Sequence, residues 1–143
     1  MKPLAYKRFT LVSGICSFLI GSGIYLCFRS TDLQMFQLFP NSELPFWARR
    51  LRTYSETLNV PEWVRFSLPD GLWLLAYLLI IDCIWGGQRS PTSLFFLAIL
   101  PIAIIIVELL QMIHLISGVG DWMDILFYFL SIVLFLTIKM FVI

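Results

Sequence analysis

VELLQMIHLISGVGDWMDILFYFLS, residues 107 to 131, contains Glu108, Gln111, His114, Asp121 and Asp124 within one of the most apolar parts of the chain. Its centre, SGVG at 117 to 120, is a turn signal between two apolar runs, so it predicts an antiparallel pair of helices joined by a tight connection. Carboxylates in such surroundings are costly. An ionised side chain at the centre of a membrane helix costs about 2.5–3.5 kcal/mol on insertion scales, so each of these acids needs a partner, a proton or a helix end.

Working outward, the same apolar character covers most of the chain. Of 143 residues, 59% are hydrophobic, 16% aromatic and 13% charged, against about 25% charged in ordinary soluble domains. This is a membrane composition. The net charge of +1 offers no general attraction for nucleic acid. Cys16, Cys27 and Cys83 fall inside apolar runs without paired or metal-ligand spacing and read as packed thiols. Neither a cofactor nor a metal site is expected.

Four apolar runs predict an all-α membrane protein with four transmembrane helices forming one membrane domain, residues 1–143: about 9–28, 68–85, 91–116 and 122–142. The first run exceeds the length of a signal-peptide core and reads as a retained anchor. Ser67 with Pro69, and Ser90 with Pro91, each place a hydroxyl before a proline that suits a helix start. Gly86 and Gly87 end the second helix, and Pro101 interrupts the amide ladder of the third. Ser13, Ser17 and Gly21 set small side chains along one face of the first helix, suited to close packing within the bundle or to a homodimer.

The segment 29–67 is too long and too apolar for a plain connection. Trp47, Leu51, Tyr54 and Leu58 recur at helical spacing with Arg49, Arg50, Arg52 and Glu56 between them. The pattern is that of an amphipathic interfacial helix, with arginines toward phosphates and aromatics toward acyl chains, or alternatively of a helix that caps the bundle. Basic flanks are tied. Lys2, Lys7, Arg8, Arg89 and Lys139 stand on one side against the arginines at 29, 49, 50, 52 and 65 on the other. The compact basic flank of the first helix favours both termini in the cytoplasm.

Antiparallel alternation brings Asp70, Glu108, Asp121 and Asp124 to the membrane face that carries the long loop, whichever way the chain inserts. Asp121 and Asp124 open a helix, where capping and the helix dipole account for them as well as a binding role does; Asp70 follows Pro69 in a similar place. Glu108 lies nine residues, about 13 Å of helix, before Ser117 and has no such excuse. It is the leading candidate for function, with hydrogen bonding to Trp73, Tyr77 or Tyr128 as the structural alternative. Gln111 and His114 extend a polar stripe from it at spacings of three. Asp82, at the far end of the second helix, is expected to pair with Arg89.

The pattern ELLQ (108–111), a glycine turn, then GDWMD (120–124) before a last apolar helix resembles the VanZ-like membrane proteins, a group named for a teicoplanin-resistance factor. LPDGLW (68–73) resembles the corresponding opening of the second helix in divergent bacterial members, and the resemblance covers roughly residues 68–140. It departs where members carry a Lys and a His after the first aspartate, an Arg in the turn and an Asn after the last aspartate. Here those places hold GLWLL (71–75), Gly118 and Tyr128. The resemblance implies a multi-pass protein of the bacterial cytoplasmic membrane that serves the cell envelope without catalysis. The matching positions carry the family's roles to Glu108, Gln111 and Asp124, and the same-face cluster adds Asp121, Asp70 and His114 as expected binding residues for a lipid-linked or cationic small molecule. Expected partners are membrane lipid and a second copy or larger membrane complex. An enzyme acting on a lipid headgroup, or a proton-coupled transporter using Glu108, are the competing expectations.

Overall fold

The computed structural model describes residues 3–29 and 45–142. Among these residues the chain forms helices α1 (Pro3–Phe28), α2 (Phe46–Glu56), α3 (Glu62–Trp85), α4 (Pro91–Met112) and α5 (Trp122–Val142), and no strand. Four of them, α1, α3, α4 and α5, are long and apolar enough to cross a membrane. The protein is an all-helical, multi-pass membrane protein. Residues 30–44 of the long loop, with Asp32 and Glu43, lie outside the described residues.

The centre of the bundle is α3. Half of its most apolar stretch is buried in protein, against 17–22% for the other three spans, whose outer faces display Phe18, Leu19, Phe95, Ile99, Phe129 and Leu136 to the surroundings. Leu74, Leu75, Leu78 and Leu79 of α3 pack with Tyr128 and Phe135 of α5, and α4 closes over them through Leu97, Leu100 and Ile104. Contact between α4 and its neighbours is sparser than that of α1 or α5 with α3. Between α1 and α3 the backbones approach closely: a Cβ on Gly14 would lie 2.9 Å from Ile80 Cγ1, and one on Gly21 3.1 Å from the Pro69 carbonyl oxygen. The small-residue face of α1 therefore serves packing inside the chain, and Ser17 turns back to the Ser13 carbonyl at 2.9 Å.

Helix starts and stops follow local chemistry, with one correction. Ser90 and Ser93 form a reciprocal capping box at the start of α4, each amide meeting the other hydroxyl at 3.1 Å. Gly86 adopts a left-handed conformation, φ 61°, and ends α3. Ser67, however, is no cap. The helix begins earlier, at Glu62 behind Pro61, because the polar turn containing Glu62 and Arg65 is itself a good helix former with an acid at its positive end. Pro69 is consequently interior, and Ser67 is buried at 1% exposure.

Helix α2 caps the bundle. Arg52 donates to the Leu26 carbonyl at 2.8 Å and Ser55 to the Cys27 carbonyl at 3.0 Å, supplying donors to the last turn of α1, whose carbonyls have no partners within their own helix. Trp47, Leu51 and Tyr54 stay exposed on the other face with Arg49 and Arg50. The capping role and the amphipathic pattern thus belong to one helix.

At the end away from α2, Asp82 of α3 is met by Lys139 of α5 as an ion pair and by the Tyr6 hydroxyl of α1 as a hydrogen-bond donor. The expected pairing with Arg89 does not form: the last turn of α3 aims Asp82 into the bundle, while Arg89 lies beyond the glycines on the exposed turn. Asp82, Tyr6 and Lys139 are 1%, 5% and 7% exposed, and the Lys139 ammonium also lies 5.7 Å from the centroid of the Phe135 ring. A carboxylate so enclosed needs its cation. Lys139→Met should cost about 3–5 kcal/mol in a detergent unfolding titration, and Asp82→Leu combined with Lys139→Met should recover most of that loss. A Lys139→Met protein as stable as the parent would contradict a charged pair.

Candidate functional site

The acids near the loop end come from three spans. Asp70 lies in α3, Glu108 in the last turn of α4, and Asp124 in the first turn of α5, with Asp121 just before that helix. Asp70, Glu108 and Asp124 lie within electrostatic reach of one another, and Tyr128, one turn beyond Asp124, is near all three. Arg29, at the end of α1, is the cation acting on Asp70 and Asp124, with its Nη2 3.7 Å from Asp70 Oδ2. The same guanidinium lies over the Tyr25 and Phe66 rings at 5.5 and 5.0 Å, so it is held in place by stacking as well as by charge.

Glu108 has a partner. Its Oε1 accepts the Asp121 backbone N–H at 2.7 Å, tying the end of α4 to the start of α5. The expected depth is also revised: α4 stops at Met112, so Glu108 lies about one helical turn from its end instead of two and a half. Its burial, 6% exposed, comes from the hairpin folding over it. Asp121 accepts from the Met123 amide at 2.9 Å through Oδ1, which is a helix-opening role, and it is exposed.

Gln111 and His114 do not join the acids. With the helix ended, Gln111 spans the turn and donates to the Ser117 carbonyl at 3.4 Å. Gly118, at φ 140°, passes so close that a Cβ there would lie 2.2 Å from Gln111 Nε2. His114 is exposed and takes a left-handed conformation, φ 57°. Gln111 keeps its helical spacing from Glu108, since α4 runs to Met112, but its side chain is taken up by the turn; for His114 the spacing ends with the helix.

Three residues complete the site that the acids alone do not reveal: Arg29, Tyr128 and Ser67. The buried Ser67 hydroxyl lies close enough to the Asp124 carboxylate to stabilise its charge as a donor, though the pair falls short of full hydrogen-bond geometry. Spacing held part of this signal, since Ser67 precedes Asp70 by three residues and Tyr128 follows Asp124 by four, each pair sharing a helix face. No group of three or more His, Cys, Asp and Glu side chains is arranged to hold a metal ion among the described residues. The arrangement is chemically a patch of carboxylate and hydroxyl acceptors, suited to a ligand rich in N–H or O–H donors. In comparisons with protein-family models, curated proteins and solved structures, none matches this chain.

The Glu108 contact makes a direct prediction about the hairpin. Glu108→Ala removes a carboxylate acceptor worth about 1.5–3 kcal/mol, so amide exchange at Asp121 should quicken by about ten- to a hundredfold. Glu108→Gln keeps an acceptor and should leave the exchange near that of the parent. Unchanged protection in the alanine variant would mean the hairpin is held by other bonds.

Proposed function

We propose that this chain is a VanZ-like, non-enzymatic protein of the bacterial cytoplasmic membrane, which binds the cationic part of a small or lipid-linked ligand at its loop-side acidic site. The observation that carries this reading is the gathering of Asp70, Glu108 and Asp124 from three spans around Tyr128, with Arg29 acting on Asp70 and Asp124. Carboxylates gathered away from water repel one another, and an ammonium provides both donors and the opposite charge.

The six expected ligand residues divide on this reading. Asp124 and Asp70 meet the ligand, while Glu108 positions the start of α5 through the Asp121 amide. Asp121, Gln111 and His114 shape the turn. Arg29 occupies part of the site and competes with a cation for Asp70. Non-catalytic binding fits the side chains at this site, which include neither a paired histidine nor an activated nucleophile among the described residues. Both termini are placed in the cytoplasm, with the acidic site toward the outer face; the basic Lys7, Arg8 and Arg89 at the opposite end support that orientation.

Titration of the purified protein in detergent with spermidine, a soluble polyamine probe, tests the reading. Asp124→Asn should weaken binding about tenfold or more, and Arg29→Gln should tighten it, because a competing cation is gone. Parent-like affinity in Asp124→Asn at equal protein recovery would refute the proposal. Labelling of cysteines placed at the α4–α5 turn and at Gln88 from either side of intact cells reads the orientation.

A further inference from the structure

At the end away from the acidic site the bundle is open between α4 and α5. A lateral groove of about 550 Å³ lies there, walled by Leu97, Pro101 and Phe135 and ending at Gln88, Arg89 and Lys139. A second hollow of about 390 Å³ continues it past Arg89 and Lys139 toward Met140. The groove exists because α4 packs sparsely on its neighbours and presents Ile-rich, branched faces without a small-residue stripe that would allow close approach. Its size falls in the range of about 300–1,000 Å³ typical of pockets for small molecules.

The chemistry runs from apolar to cationic along the groove. Lys139 is already engaged by Asp82, the acid at this end among the described residues. Arg89 is exposed and forms no ion pair among the described residues. The backbone on either side of it is held: the Ser90–Ser93 capping box follows it, and the Ser93 hydroxyl donates to the Gln88 carbonyl at 2.8 Å. Lys7 and Arg8 add positive charge at the same end. An arginine at the mouth of an apolar channel, at the end of membrane-spanning helices, matches a phosphate attached to a hydrocarbon chain.

We propose that this groove is a binding site for an anionic phospholipid, with one acyl chain along Leu97, Pro101 and Phe135 and the phosphate at Arg89, beside the Gln88 amide and the Lys139 ammonium. The site is separate from the acidic one and stands or falls without it. Selectivity for the anionic headgroup comes from Arg89, since the apolar walls accept any acyl chain. Lys139 faces both Asp82 and the groove, so the headgroup adds a second anion to a cation that already holds the bundle together.

The test uses the full chain in phosphatidylcholine liposomes containing a trace of phosphatidylglycerol that carries a diazirine on its acyl chain. Peptide mapping should place the label within residues 94–102 and 132–136, and excess unlabelled phosphatidylglycerol, but not phosphatidylcholine, should displace it. Arg89→Gln should lower labelling about fivefold, the worth of one interfacial cation. Ala98→Trp, at an exposed groove position, should lower it by filling the channel. Equal labelling by a phosphatidylcholine probe would overturn the proposal. So would parent-like labelling of Arg89→Gln, or a groove occupied by a second copy of the chain in a cysteine cross-link at Ala98.

Discussion

The Asp82 carboxylate is closed off from water on every side, and the fold is arranged around meeting that charge. Its partners come from the first and last helices, Tyr6 and Lys139, so a single acid on the central helix fastens three spans at one end. In lipid the hydrophobic effect gives helices no reason to prefer one another over acyl chains, so close backbone contact and interhelical polar bonds must hold a bundle together. Both occur where α3 meets its neighbours. Gly14 and Gly21 bring α1 within contact distance, Trp73 donates to Ser22 at 3.1 Å, and Ser131 of α5 donates to the Gly71 carbonyl at 2.6 Å. Helix α4, with a mean hydropathy of 2.7 and few polar ties, is the least attached span.

This division explains what could be read from the chain alone. Apolar run length gives the four spans, and the parity of crossings places Asp70, Glu108 and Asp124 at one end, because those inferences need only local composition and counting. The Ser90–Ser93 cap is legible for the same reason: its partners are three residues apart. The Asp82–Lys139 pair joins residues 57 apart, and no periodicity within either helix indicates which acid a returning helix will face. Proximity along the chain pointed instead to Arg89, whose backbone leaves the helix through two left-handed glycines.

The polar stripe of α4 fails for a related reason. Spacing of three has meaning only while the helix continues, and α4 ends at Met112, so His114 leaves the stripe for the exterior, while Gln111, still helical, is captured by the Ser117 carbonyl of the turn. Glu108 keeps its place because it precedes the break, and the turn returns an amide to it. Arg29 and Ser67 escape sequence reading because Arg29 meets Asp70 only once α1 packs on α3, and Ser67 meets Asp124 only once α5 does. The spacing of Ser67 to Asp70 places both on one face but does not name the acid on the other helix.

A net charge of +1 therefore conceals two ends of opposite character. Among the described residues, Glu56, Glu62, Asp70, Glu108, Asp121 and Asp124 gather at the loop end with Arg29, Arg49, Arg50, Arg52 and Arg65, while Lys7, Arg8, Arg89 and Lys139 stand at the other with Asp82. At each end one ion pair uses part of the charge: Arg29 with Asp70, Lys139 with Asp82. The net balance differs in sign, slightly negative at the first and positive at the second. Because the surplus at each end sits where a helix terminates, it reaches the headgroup region without placing an unpaired ion in hydrocarbon. The same economy that forces the interior charges into pairs thus leaves one slightly negative and one positive end on a nearly neutral chain, whichever way that chain is inserted.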